Sequence, residues 1–189
     1  MTISQSKNLT LFFISLFLFN SFVFAAEISE GKNKAALCLG CHGTNGISKN
    51  PQYPSLAGQK KAYIEAQLKA FQSSKRTNST MQGMAANLNE TDIKNIAAYF
   101  SSLSPQSAGG DLSLAKKGKG KFAMCAGCHG SKAEGRGSFP KLAGQQPKYL
   151  QKQLLSFKNG SRKGGPMNAI ISSLSEQDIS EIAEYLGSL

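Results

Sequence analysis

Cys38-Leu39-Gly40-Cys41-His42 and Cys125-Ala126-Gly127-Cys128-His129 are two copies of one pentapeptide pattern, and together they use every cysteine and histidine of this 189-residue chain. The spacing C-x-x-C-H reads as a site for covalent attachment of a c-type haem. In such a site the two thiols add to the haem vinyl groups as thioethers, and the adjacent imidazole binds the iron. The reading gives Cys38, Cys41, Cys125 and Cys128 to two haem c groups, and His42 and His129 to their irons. With four Cys and two His so placed, no thiol remains for a disulfide framework and no imidazole for general acid–base work.

Two other chemistries use paired cysteines. A four-thiolate zinc site would leave both histidines idle, and the gap between the pairs is far longer than a zinc ribbon uses. A thiol–disulfide pair of the thioredoxin kind expects a βαβ pattern, and no period-2 strand pattern occurs.

Working outward, the whole chain is duplicated. Gly31-Lys32-Asn33-Lys34 precedes the first motif as Gly118-Lys119-Gly120-Lys121 precedes the second. Downstream, Pro54-Ser55-Leu56-Ala57-Gly58-Gln59 matches Pro140-Lys141-Leu142-Ala143-Gly144-Gln145, and Tyr63, Gln67, Leu68 and Phe71 match Tyr149, Gln153, Leu154 and Phe157. Leu88-Asn89-Glu90-Thr91-Asp92-Ile93 matches Leu174-Ser175-Glu176-Gln177-Asp178-Ile179. The offset is 87 up to the histidine and 86 from the proline, so one residue was gained or lost in the loop between. Two copies make two small domains rather than a solenoid, which needs three or more units. The expected division is residues 27–103 and 112–189, joined by a polar, turn-rich linker at 104–111. Its shortness predicts close contact between the halves. Each half is too small for a large core of its own, and a covalently held porphyrin supplies the missing apolar surface.

The local pattern is helical. Ile93, Ile96, Ala97 and Phe100 fall on one helical face, and Ile179, Ile182, Ala183 and Leu186 repeat it. Asn89 with Asp92, and Ser175 with Asp178, read as helix starts. Residues 59–73 and 147–158 predict a second helix per half, with Pro147 suited to a first turn. The residues before each C-x-x-C-H predict a third. The expected fold class is all-α: two tandem helical bundles, each around one covalently bound haem.

With one histidine per haem, the far face of each iron needs another donor or stays open. Met81 matches Met167, each seven residues before the leucine that opens the last helix, whereas Met84 matches Ile170 and Met124 matches Leu37. Met81 and Met167 are therefore the expected axial ligands. Met84 and Met124 are expected to fill core gaps, with Met84 as fallback ligand for the first haem. A thioether favours Fe(II) and raises the potential. A six-coordinate iron has no vacancy for peroxide or oxygen, so the arrangement points to moving single electrons.

Lys7 and the apolar residues 9–24 run into Val23-Phe24-Ala25-Ala26 and read as a secretory signal cleaved after Ala25. A retained anchor is the alternative, though about 16 residues is short for a span. Without Lys7, 21 basic residues stand against 11 acidic ones, a balance of about +10 that suits acidic partners. Export makes nucleic acid an unsuitable partner.

With these features the chain resembles the cytochrome c4 family, the dihaem class I c-type cytochromes of the bacterial periplasm. The likeness spans residues 27–189. It rests on C-x-x-C-H, the Pro-x-Leu-Ala-Gly turn, the registered methionines and the tandem plan. The resemblance implies two class I cytochrome c domains packed face to face, haem propionates near their boundary, and Pro54 and Pro140 carbonyls accepting from the proximal histidines. It also implies a soluble, monomeric periplasmic carrier delivering electrons from a quinol-oxidising complex or similar donor to a haem–copper terminal oxidase. Arg76 and Arg162, five residues before each methionine, suit a propionate or a solvated helix end equally. Tyr63 and Tyr149 are expected in the core, with a bond to propionate as the weaker option. A second function is the cytochrome subunit of a redox enzyme, such as a flavin-containing sulfide dehydrogenase. A dihaem peroxidase is a third, disfavoured by the two-histidine count.

Overall fold

The computed structural model describes residues 25 and 27–189. The expected signal, residues 1–25, lies outside them except for Ala25. Every regular element among the described residues is helical, apart from one isolated bridge between Arg136 and Phe139. The first half runs α1 (27–34), α2 (Leu39–His42), α3 (Lys61–Gln72), α4 (Ser79–Ala85) and α5 (Glu90–Ser102). The second half repeats it as α6 (Leu112–Lys121), α7 (Ala126–His129), α8 (Pro147–Lys158), α9 (Pro166–Ser172) and α10 (Glu176–Ser188). No described helix is long and apolar enough to cross a membrane.

The last helix of each half organises its core. Asn89 and Ser175 both form complete capping boxes with Asp92 and Asp178, satisfying N-terminal amides that would otherwise be orphaned. The same carboxylates take a lysine from the first helix of their half, Lys34 to Asp92 at 2.9 Å and Lys121 to Asp178. The repeated glycines Gly31 and Gly118 now have a physical reason. A Cβ on Gly31 would sit 2.0 Å from the Asn95 carbonyl oxygen, and one on Gly118 2.0 Å from that of Glu181. The first and last helices of each half therefore cross backbone to backbone. Around α5 the core holds Ile64, Leu68, Phe71, Ile93, Ile96 and Phe100; around α10 it holds Leu150, Phe157, Ile171, Ile179, Ile182 and Leu186.

Two expectations need correction. Met84 and Met124 do not fill core gaps: they are 40% and 51% exposed. In α4 the inner face is taken by Met81 and Ala85, four apart, which turns Met84 outward. Met124 lies in the single 3-10 turn before α7, whose buried residue is Phe122. The helix expected over 59–73 begins at Lys61, because Gln59 is engaged across the domain boundary.

Candidate haem sites and the boundary between them

Each C-x-x-C-H motif forms a single helical turn, α2 or α7, that ends on a glycine at positive φ, Gly43 (82°) or Gly130 (84°). The turn buries the histidine ring, leaves Cys41 and Cys128 exposed, and tucks Cys38 and Cys125 against the core. Burial pushes both of the latter thiols up in pKa. His42 Nδ1 donates to the Pro54 carbonyl at 2.9 Å, and His129 Nδ1 to the Pro140 carbonyl at 3.0 Å. A carbonyl only accepts, so the hydrogen sits on Nδ1 and Nε2 keeps its lone pair for a metal. Burial also pushes the His42 pKa down, which favours the neutral, donating imidazole.

The loop carrying each proline is pinned to its own domain. Leu56 and Ala57 amides both donate to Gly46 O, and Gly58 N donates to Phe100 O in α5. Leu142 and Ala143 donate to Ala133 O, and Gly144 N to Leu186 O in α10. The accepting carbonyl is thus fixed by the element that also forms the core.

Met81 and Met167 lie in α4 and α9, and each packs on the same core cluster as the first cysteine of its half. The structure packs the first cysteine and the methionine of each predicted set on one core, Cys38 with Met81 and Cys125 with Met167. It does not bring the two cysteine pairs together. Among the described residues no group of three or more His, Cys, Asp or Glu could hold a metal ion, so the four-thiolate reading finds no geometry. A tethering pair of thiols, an oriented imidazole lone pair and a core-facing thioether are the donor set that a haem c site requires.

Six residues whose part sequence reasoning missed meet at the domain boundary. Arg76 donates to Gln67 in its own half (2.6 Å) and to Tyr149 (3.0 Å) and Gln153 (2.8 Å) in the other. Arg162 mirrors it, donating to Gln153 (2.6 Å), Tyr63 (3.1 Å) and Gln67 (3.0 Å). Each guanidinium also lies over a phenylalanine ring of its half, Phe71 at 4.8 Å or Phe157 at 4.5 Å. Neither arginine is a solvated helix end, and Tyr63 and Tyr149 serve the boundary rather than a core. Gln59 and Gln145 form the second symmetric contact. Gln59 donates to Lys141 O (2.9 Å) and accepts from Lys141 N (2.8 Å), while Gln145 does the same with Ser55 (2.9 and 2.8 Å). The matched glutamines in the sequence were the available signal.

The cytochrome c family model matches residues 28–104 and again 115–189. Cytochrome c4 of Pseudomonas aeruginosa is 36% identical over 180 residues, covering 87% of this chain and 90% of that protein. The thiosulfate dehydrogenase electron acceptor of Thiomonas intermedia is 33% identical, covering 81% of this chain and 78% of its own. The crystal structure of reduced recombinant cytochrome c4 from Pseudomonas stutzeri superposes with a TM-score of 0.82 at 34% identity, covering 86% of this chain and 98% of that one. Family, tandem fold and paired motifs agree, and the chain belongs to the cytochrome c4 family as a dihaem c-type cytochrome of electron transport.

Proposed function

We propose that the protein is an exported, monomeric carrier that passes single electrons from a respiratory donor, such as a quinol-oxidising complex, to a terminal oxidase in the periplasm. His42 and Met81 would hold one iron, and His129 and Met167 the other. Cys38 and Cys41 would carry the first haem, Cys125 and Cys128 the second. The domains divide at the 104–111 linker. The observation that carries this reading is the repeated placement of one methionine per half, on the same core as the motif's first cysteine.

When bound, each haem supplies a one-electron Fe(III)/Fe(II) couple. The chain does the rest. The proline carbonyls hold each imidazole in one tautomer and one orientation. Met81 and Met167, bound to the irons, would leave no vacant position for oxygen or peroxide. Arg76 and Arg162, with only neutral partners among the described contacts, suit the carboxylates of the haems, since a half-buried cation gains from an anion. The lysine-rich surface steers acidic redox partners, an attraction that salt weakens.

The test is electron delivery. Purified holoprotein should restore quinol-driven oxygen uptake to washed membranes stripped of soluble cytochromes. A second reading is the electron-accepting partner of a periplasmic dehydrogenase, favoured by the Thiomonas relative, whose name describes that role. No stimulation of the membranes, together with copurification of a dehydrogenase, would decide for it.

A further inference from the structure

The two methionine helices, α4 and α9, are tied down alike at one end and differently at the other. At their C-terminal ends a side chain from the preceding long helix reaches two carbonyls. Gln72 donates to Ala85 O (2.8 Å) and Leu88 O (2.7 Å), and its repeat counterpart Lys158 donates to Ser172 O (3.2 Å) and to Leu174 O. At the first turn the repeat breaks. In α4 the cap residue Asn78 accepts from Met81 N at 2.9 Å, so the backbone of the methionine itself is held by a side chain. The matching residue in the second half is Gly164, and no side chain caps α9. A Cβ on Gly164 would lie 2.3 Å from the ring of Phe157, which is buried and covered by the Arg162 guanidinium. The ring therefore excludes an asparagine there.

The second half carries another device, one residue beyond its methionine. Asn168 Oδ1 accepts from Gly164 N at 2.8 Å. Its Nδ2 donates to Phe157 O (2.7 Å), in the last turn of α8, and to Arg162 O (2.9 Å) in the intervening loop. A side-chain amide has two N–H donors, and both are used. Gln82, the matching residue of the first half, keeps only the acceptor bond, from Asn78 N at 3.3 Å, and spends its amide on the exposed Ser74 hydroxyl.

We propose that Asn168 is a positioning residue for the Met167 thioether, taking over in the second half the hold that Asn78 exerts on Met81 in the first. The inference rests on Met167 as an iron ligand, the reading proposed above. An added ligand reaches that position only when the methionine withdraws. Met167 belongs to the turn that Asn168 ties to α8, so a withdrawal that displaces this turn breaks three hydrogen bonds. A competent state that is costly to reach lowers the apparent affinity of whatever binds it. Asn168 is half-buried, and a half-buried amide that loses its partners is not fully repaid by water. The role needs no charge and no proton; it is geometric.

The experiment is an imidazole titration of the oxidised holoprotein, followed through the paramagnetically shifted NMR signal of each iron-bound methionine. Asn168→Ala should raise imidazole affinity at the second haem by about five- to tenfold, the scale of one net hydrogen bond, and leave the first haem unchanged. Asn168→Asp keeps the shape and the acceptor but sets a carboxylate against two carbonyls, so it should raise the affinity at least as much. Gly118→Ala strains the same half at a distant helix crossing and should lower the melting temperature without changing imidazole affinity, which separates positioning from general destabilisation. Met167→Ala tests the underlying assignment by itself, since it should abolish the second methionine signal outright. If that signal survives, both readings fall. If Met167→Ala removes it while neither Asn168 variant changes imidazole affinity, the ligand stands and the positioning role is overturned. A rise at both haems, or an equal rise in Gly118→Ala, would overturn it too.

Discussion

His42 and His129 each commit one ring nitrogen to a proline carbonyl, and this contact makes the remaining nitrogen a usable ligand. Met81 and Met167, the proposed iron ligands, are the residues on which the redox reading turns. Met81→Ala should remove the methionine–Fe(III) charge-transfer band of the first haem only, and Met167→Ala that of the second only. Met84→Ala should leave both intact, since Met84 faces outward. Unchanged spectra in both ligand variants would remove the assignment. Their pairing was legible in the sequence because duplication turns each position into a comparison: Met81 recurs at 167, whereas Met84 gives way to isoleucine. The outward turn of Met84 was not legible. It depends on which face of a seven-residue helix is inner, and α4 is too short to display a period. Asn78, whose side chain accepts from Met81 N, and Pro166 at the first turn of α9 were the signals that could have placed those helices.

At the scale of elements, the first and last helices of each half stand or fall together. Gly118→Ala places a methyl 2.0 Å from a backbone oxygen that cannot swing aside, so it should destabilise the second half by about 1–3 kcal/mol, the usual cost of overpacking. Gly120, two residues on in the same helix, meets nothing within 4 Å. Gly120→Ala should therefore be neutral or stabilise by up to about 1 kcal/mol. Thermal unfolding of the two variants separates close approach from helix propensity. The capping carboxylates give the pH dependence. The Lys121 hydrogen bond, then Ser175, hold Asp178 well below its ordinary pKa, and Lys34, then the Asn89 amide, lower Asp92. A depressed folded-state pKa stabilises above the unfolded value of about 3.9 and is lost as pH falls through the folded value. The melting temperature should hold between about pH 7 and 5 and fall below about 4, and less steeply in Asp178→Asn. An equally steep acid limb in that variant would place the titration elsewhere. The long helices α3, α5, α8 and α10 were legible because caps and apolar periodicity agree in each. The glycine crossing was visible only as a repeated letter, since a sequence pattern reports which face is buried and not how closely two backbones pass.

Across the whole molecule, the two domains share one polar network that no single-helix pattern could announce. Tyr63 and Tyr149 sit at helical positions that suit a core equally well, and only the assembled fold shows that their hydroxyls accept from the opposite arginine. Gln67 and Gln153 each accept from both arginines, so neither arginine can be removed without affecting the contacts of the other. Residues sharing partners in this way respond non-additively to mutation. Arg76→Ala and Arg162→Ala should each cost about 1–3 kcal/mol, the range for losing a half-buried charged hydrogen bond. The double variant should differ from the sum by about 0.5–3 kcal/mol. Calorimetry offers a second readout. The unaltered protein should melt in one transition, because each half supplies acceptors for the other's half-buried cation. With both arginines gone the remaining glutamine contacts join two loops rather than two helices, and the transition should split into two. Simple additivity with a single unsplit transition would mean that the halves are held together elsewhere, at the Gln59 and Gln145 contacts or through the linker, where Ala108 N donates to Gly144 O and Ser107 Oγ to Gly187 O.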